Sequence, residues 1–127
     1  MILKRSNFRK KFSPNKFKAK KTAYGDYVFD SKLESIAYKE LQLMEKAKLI
    51  KNLETQKQFS LKVNDKQICV IIPDFFFFDT QKNKEVVAEA KGVETPEWRL
   101  KWKLLMALFP QYDYWMYKHR TGWYDYA

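Results

Sequence analysis

The chain has 127 residues and a formal net charge of +10, from 25 basic and 15 acidic residues. This length supports one domain with a single core, and an aromatic content of 17% with only three glycines excludes a disordered chain. A single cysteine excludes an internal disulfide, and one cysteine with one histidine excludes a structural zinc site. Because the sequence contains no long apolar run and no signal peptide, it predicts a soluble, cytoplasmic protein without membrane contact.

The positive charge is concentrated in residues 1–24, which we predict to be a flexible basic arm preceding one domain over residues 25–127. This segment holds nine of the 25 basic residues and no acid, leaving 16 basic residues against all 15 acidic ones in the body. Such a block repels itself unless an anionic partner is present, which favours nucleic-acid binding over a merely solvated tail. The predicted contacts in the arm are Arg5, Arg9, Lys10, Lys11, Lys16, Lys18, Lys20 and Lys21.

A first helix is predicted from Ser31 to about residue 48, after a short strand or extended lead-in at residues 27–29. Ser31 is a favourable N-cap residue, and Glu34 three positions later completes a capping box. From this pattern alone, Glu34 is interpreted as a capping residue. Apolar residues at helical spacing predict the buried face, formed by Leu33, Ala37, Leu41 and Met44.

Three β-prone segments follow, at Ile50–Val63, Ile68–Asp79 and Glu85–Lys91. Polar turn residues separate them at positions 64–67 and 80–84. Pro73 lacks a backbone N–H donor, so it indicates a bulge or irregularity inside the second strand. We therefore expect a sheet whose second strand is distorted near its middle.

A second helix is predicted from Thr95 to about Phe109, with Thr95 as N-cap and Pro96 at the first helical position. Arg99 and Lys103 lie four residues apart on one face, which is typical of an ordinary solvated surface. The alternating segment at residues 112–117 predicts a fourth strand.

Ionisable residues stand inside the apolar strands, where an unpaired charge is costly to desolvate. Asp74 lies in the second strand, and Glu89 and Lys91 lie in the third. Glu89 and Lys91 are two residues apart and so point to the same face, which Asp74 reaches if the two strands pair. Two carboxylates with open positions suit Mg²⁺ or Mn²⁺, and a neighbouring ammonium can orient water or stabilise a phosphate oxygen. The structural alternative is a salt bridge that closes the edge of the sheet.

The motifs Pro73-Asp74 and Glu89-Ala90-Lys91, with the flanking helices, resemble the PD-(D/E)XK nuclease superfamily, in particular small phage endonucleases. Phage endonuclease I-type resolvases and transposase endonuclease subunits are more distantly similar. The resemblance implies an α/β, restriction-endonuclease-like core: helix, three strands, helix and strand, with a mixed central sheet flanked by helices. It also implies that Lys91 positions the attacking water, and that Arg99 or Lys103 contacts phosphate as the alternative to a solvated surface. The implied metal ligands are Asp74, Glu89, the carbonyl of Ala90, and Glu34, with Gln56 or Gln58 bordering the site.

The function that the resemblance implies is a Mg²⁺- or Mn²⁺-dependent DNA endonuclease, encoded by a phage or prophage in a bacterial host. Branched DNA, as in junction resolution during recombination or packaging, is one expected substrate, and a resolvase with two sites is expected to be a homodimer. One alternative is a non-catalytic basic nucleic-acid-binding protein of the same fold. Another is a nuclease directed at RNA, because the charge of the arm does not distinguish RNA from DNA.

Overall fold

A mixed five-stranded sheet separates two layers of hydrophobic core. The structure, a computed structural model, describes residues 21–126, with side chains from residue 30 onward. Its elements in chain order are α1 (Lys21–Lys46), β1 (Ile50–Thr55), β2 (Phe59–Val63), β3 (Lys66–Ile71), β4 (Phe75–Asp79), β5 (Lys84–Ala90), α2 (Pro96–Leu108), β6 (Asp113–Lys118) and β7 (Gly122–Asp125).

The strands of the large sheet are ordered β1-β4-β5-β6-β7, and β2 and β3 form a separate two-stranded sheet. Only β5 and β6 pair in parallel, whereas the other neighbours are antiparallel. Helix α2 connects the two parallel strands, as a crossover between parallel neighbours requires. The predicted α/β class with a mixed sheet and flanking helices is therefore confirmed.

Alternation along the strands assigns each core layer to one helix. Phe75 and Phe77 of β4 belong to the layer beneath α1, whereas Phe76 belongs to the layer beneath α2. The predicted buried stripe of α1 is confirmed: Leu33, Ala37 and Leu41 are fully buried in the first layer, and Met44 packs against them. On α2, Trp102 and Leu105 fill the second layer.

Helix α1 begins earlier than the sequence predicted. It starts at Lys21 and continues without a break through residues 27–29 and Ser31, so the predicted lead-in strand and the predicted capping box are both wrong. No proline interrupts this stretch. Within a continuing helix the backbone N–H groups bond to carbonyls four residues earlier, which leaves no free donors for a cap at Ser31.

The two long predicted strands are each divided in two. The division falls at Gln56, whose φ is 59°, and at residues 72–74. The breaks lie opposite each other, because the Gln56 N–H donates to the carbonyl oxygen of Asp74 over 3.2 Å. One long antiparallel pair is thus kinked into β1–β4 within the large sheet and a β2–β3 hairpin outside it. Pro73 accounts for the break in the second strand, since it has no N–H for a ladder bond.

The remaining predictions concern the start of α2 and the two ends of the chain. Thr95 caps α2 as expected, since its Oγ1 accepts a hydrogen bond from the Trp98 N–H over 3.1 Å. Strand β7 follows the last predicted strand and was not predicted. Residues 1–20 of the predicted arm lie outside the described residues, and residues 21–24 lie in α1. Among the described residues, no helix is both long and apolar enough to cross a membrane.

Candidate active site

Asp74 and Glu89 are held side by side where β4 begins and β5 ends. Phe75 pairs with Ala88 in the β4–β5 register, so the residue before Phe75 and the residue after Ala88 come together. The Asp74 N–H donates to Glu89 Oε1 over 3.1 Å, and the Ala90 N–H donates to Asp74 Oδ2 over 3.0 Å. Each carboxylate is therefore fixed by the backbone of the other strand, and the kink at Pro73 sets the direction of Asp74.

Burial makes this pair electrostatically unfavourable in the absence of a cation. Glu89 is 8% exposed, and its burial raises its pKa to about 7 despite the opposing charge of Lys91. The pKa of Asp74 is raised well above its usual range by burial and then by the negative charges of Glu89 and Glu34. Neighbouring carboxylates that resist losing both protons are typical of sites that bind metal or exchange protons.

Lys91 supplies the positive charge at this site but forms no salt bridge with either carboxylate among the described residues. Its charge lowers the pKa of Asp74, Glu89 and Glu34, which places it in their electrostatic range. The ammonium lies over the ring of Trp98 on α2, 5.8 Å from the ring centroid. The predicted alternative, a salt bridge that closes the sheet edge, is therefore not the arrangement that this structure has.

Helix α1 brings two further acids to the same end of the sheet. The Gly92 N–H donates to Asp30 Oδ1 over 3.1 Å, which joins α1 to the end of β5. Glu34 lies one turn farther along the helix and is partly buried. Burial raises its pKa, the charge of Asp30 raises it further, and Lys91 opposes both. Sequence reasoning included Glu34 and missed Asp30; the spacing of four residues on one helix face was the available signal.

The donor set fits a hard divalent cation that keeps several of its waters. Asp74 and Glu89 each use one carboxylate oxygen for a backbone hydrogen bond, and the second oxygen accepts none from the described residues. No group of three or more His, Cys, Asp or Glu side chains in the described part of the chain is arranged to hold a metal ion. Two carboxylates are nevertheless sufficient for Mg²⁺, which commonly binds through one or two carboxylates together with substrate phosphates.

The other predicted site residues lie around this pair or away from it. Gln56 reaches the site through its backbone N–H, whereas its side chain and that of Gln58 are exposed, and neither residue lies in a strand as predicted. Arg99 is exposed and lies 3.5 Å from Glu94, from Arg Nε to Glu Oε1, and Lys103 is exposed on the same helix. The arm residues from Arg5 to Lys20 lie outside the described residues.

Residues 14–121 match the sequence model of a family described as a protein of unknown function, DUF1064. The chain belongs to this family. The match extends over both helices and over every strand except β7, so the carboxylate pair and Lys91 all lie within the DUF1064 region. Comparison with curated proteins gives no match, and comparison with solved structures gives none.

Proposed function

We propose that this protein is a Mg²⁺- or Mn²⁺-dependent DNA endonuclease that hydrolyses phosphodiester bonds. The observation that carries the proposal is a pair of backbone-fixed carboxylates, the partly buried Asp74 and the buried Glu89, with the ammonium of Lys91 in their electrostatic range. Desolvated like charges at one strand end are unfavourable for folding, so they need a compensating functional role.

A divalent ion held by Asp74 and Glu89 would supply Lewis-acid stabilisation of the negative charge that develops on the phosphate and on the leaving 3′ oxygen, and would make a nearby water easier to deprotonate. The protein's own contribution is to hold Asp74 and Glu89 in fixed positions, so that little reorganisation accompanies the reaction. Phosphodiester hydrolysis requires a barrier reduction on the order of 15–20 kcal/mol, which a prearranged cation site with a bound substrate is suited to provide.

Lys91 and Glu34 have distinct roles in this proposal. The ammonium of Lys91 has three donors and no acceptor, so it can orient the attacking water or donate to a non-bridging phosphate oxygen. Its position over Trp98 limits its motion and keeps it clear of a neutralising salt bridge. Glu34 adds negative charge from α1, which strengthens attraction for a cation at Asp74 and Glu89.

The test is cleavage of labelled four-way junction, flap, single-stranded and linear duplex DNA with Mg²⁺, Mn²⁺ or EDTA, together with Glu89→Ala. We expect metal-dependent products from the wild type, and no products from Glu89→Ala or from either protein in EDTA. The preferred substrate distinguishes an enzyme of branched DNA from a general nuclease. Tight DNA binding that is insensitive to EDTA, with no product from any substrate, would instead support a non-catalytic nucleic-acid-binding protein.

A further inference from the structure

The β2–β3 hairpin leaves the large sheet next to the carboxylate pair. Its first strand begins three residues after Gln56, whose N–H bonds to the Asp74 carbonyl, and its second strand ends at Ile71, three residues before Asp74. Both ends of the hairpin therefore join the sheet at the site. A polymer bound at Asp74 and Glu89 passes the base of the hairpin.

One face of the hairpin is anchored to the body of the protein. Phe59, Leu61 and Ile71 are buried in the core layer that also contains Trp102 and Leu105 of α2. An isolated two-stranded hairpin is marginally stable in water, so this packing is what fixes its orientation. Within the part of the chain that the structure describes, the remaining surface is exposed, and its exposed residues include Lys62, Val63, Lys66, Gln67 and Ile68.

The hairpin segment carries three lysines, Lys57, Lys62 and Lys66, against the single acid Asp65. None of the three lysines takes part in a salt bridge among the described residues. By contrast, the lysines that do form such salt bridges lie in or beside the β4–β5 turn, on α2 and on β6. The charge of the hairpin is thus uncompensated and suits an external polyanion.

Two side-chain contacts orient polar groups along this surface. The Lys57 ammonium lies over the Phe76 ring, 5.1 Å from its centroid, which holds a positive charge at the hairpin base. Phe76 is two residues from Asp74, about 7 Å along a strand. The Ser60 hydroxyl donates to Gln67 Oε1 over 2.5 Å, which leaves the Gln67 amide nitrogen available as a donor.

We propose that the β2–β3 hairpin docks on duplex DNA beside the scissile bond, with Lys57, Lys62 and Lys66 contacting phosphates. A two-stranded ribbon is one of the elements that the major groove of B-DNA admits, and phosphate contacts of this kind fix register without reading sequence. This inference rests on the proposed nuclease function, because that function makes DNA the polymer at the site.

The test compares the double variant Lys62→Gln/Lys66→Gln with a matched control, Lys46→Gln/Lys48→Gln. All four lysines are exposed, but Lys46 lies twelve residues beyond Glu34 on α1, about 18 Å along the helix. Fluorescence anisotropy measures the Kd for a labelled duplex in EDTA at several salt concentrations, using the full chain. Two lost phosphate contacts should reduce the slope of log Kd against log salt by about 1.8, and the control should match the wild type.

Equal slopes for the hairpin variant, the control and the wild type would overturn the inference. So would a reduced slope on single strands with unchanged binding to duplex. Because binding is measured without metal, the result does not depend on catalysis. A reduced slope for the hairpin variant, with no cleavage by the wild type, would support the hairpin contact and contradict the nuclease function. Cleavage by the wild type, with an unchanged slope for the hairpin variant, would support the nuclease function and contradict the hairpin contact.

Discussion

Strand β4 has an acidic residue at each end, and the two are accommodated in different ways. Asp79, its last residue, is 4% exposed, and its Oδ1 accepts hydrogen bonds from the backbone N–H groups of Gln81 and Lys82, at 2.9 and 3.4 Å. Asp74, just before its first residue, faces another carboxylate, that of Glu89. Asp79 is buried and Asp74 is partly buried, but only the end at Asp74 brings together charges of the same sign.

The difference shows which buried acids are candidates for function. The N–H groups around Asp79 belong to the β4–β5 turn, so its carboxylate completes the hydrogen bonding of that turn and needs no other partner. Asp74 and Glu89 also accept backbone N–H groups, yet the pKa of each carboxyl stays raised because burial and nearby negative charges outweigh those bonds. The charges that raise the pKa are Glu89 and Glu34 for Asp74, and Glu34 and Asp30 for Glu89. A bound cation would offset the negative charge at Asp74 and Glu89, whereas the carboxylate of Asp79 already has its partners in the turn.

The largest expected effect separates the two ends directly. Glu89→Gln keeps the shape of the side chain but removes the negative charge, so we expect cleavage to fall by about 10²–10⁴-fold, the equivalent of several kcal/mol of metal stabilisation. The measurement is the rate of cleavage of labelled DNA at saturating Mg²⁺. Asp79→Asn serves as the matched control at the other end. Similar losses in both variants would remove the functional distinction between them.

The second effect compares the two lysines at the ends of β5. Lys91→Ala should lower the cleavage rate by about 10²–10³-fold, because a donor aimed at the reacting phosphate or water is lost. Lys84, at the other end of β5, forms an exposed ion pair with Asp113 at 3.1 Å. Lys84→Ala is expected to change cleavage less than about twofold. Anisotropy should show unchanged DNA affinity for Lys91→Ala, and a loss explained wholly by weaker binding would contradict the catalytic role.

The third effect is a dependence of stability on pH in the absence of metal. The Glu89 pKa is about 7 in the folded protein and near 4.5 in the unfolded chain, so the folded state holds more protons between these values. Stability should therefore fall as pH rises from about 4.5 to 7, by up to about 3 kcal/mol, and Asp74 acts in the same direction.

Urea unfolding in EDTA across this pH range measures the slope. Glu89→Gln should flatten this slope. Addition of Mg²⁺ at pH 8 should stabilise the wild type and not Glu89→Gln, since a ligand stabilises only the state that binds it. A wild-type stability that rises with pH over the same interval would contradict the assigned environment of Glu89.

The smallest expected effect concerns the turn. Asp79→Asn retains an acceptor oxygen but loses the charge that strengthens its bonds to the Gln81 and Lys82 N–H groups, which should reduce stability by about 1 kcal/mol. Thermal unfolding at fixed pH measures this loss, and DNA cleavage should be unaffected. A large loss of cleavage without loss of stability would give Asp79 a catalytic role that the present account denies.

The main features of the fold followed from local patterns, whereas features that depend on tertiary contacts did not. Helical spacing predicted the buried face of α1, and Thr95-Pro96 predicted the start of α2. Periodicity alone did not reveal that α1 extends back to Lys21, because a favourable N-cap residue such as Ser31 also occurs inside helices. Nor did it divide the long strands, since the left-handed conformation of Gln56 has no signature in its residue type.

For the site, Asp74, Glu89 and Lys91 were predicted as neighbours because alternation and one turn determine their relation. The resemblance predicted that Glu34 lies near these three residues, and the structure places Glu34 within their electrostatic range. Asp30 was missed because the helix was predicted to begin at Ser31, which left Asp30 outside it. Its contact with the Gly92 N–H joins residues 62 positions apart in sequence and required the tertiary fold. The contact between Lys91 and Trp98 likewise required the packing of α2.

The most direct test of the central claim is metal binding, because it requires no knowledge of the natural substrate. In a titration with Mn²⁺, the electron paramagnetic resonance signal reports the concentration of free ion, so the loss of signal gives the amount of Mn²⁺ bound to the protein. The titration is made with the wild type, Glu89→Gln, Asp74→Asn and Asp79→Asn. We expect the wild type and Asp79→Asn to bind Mn²⁺, and Glu89→Gln and Asp74→Asn to bind it at least tenfold more weakly. Equal binding by all four proteins, or none by the wild type, would contradict it.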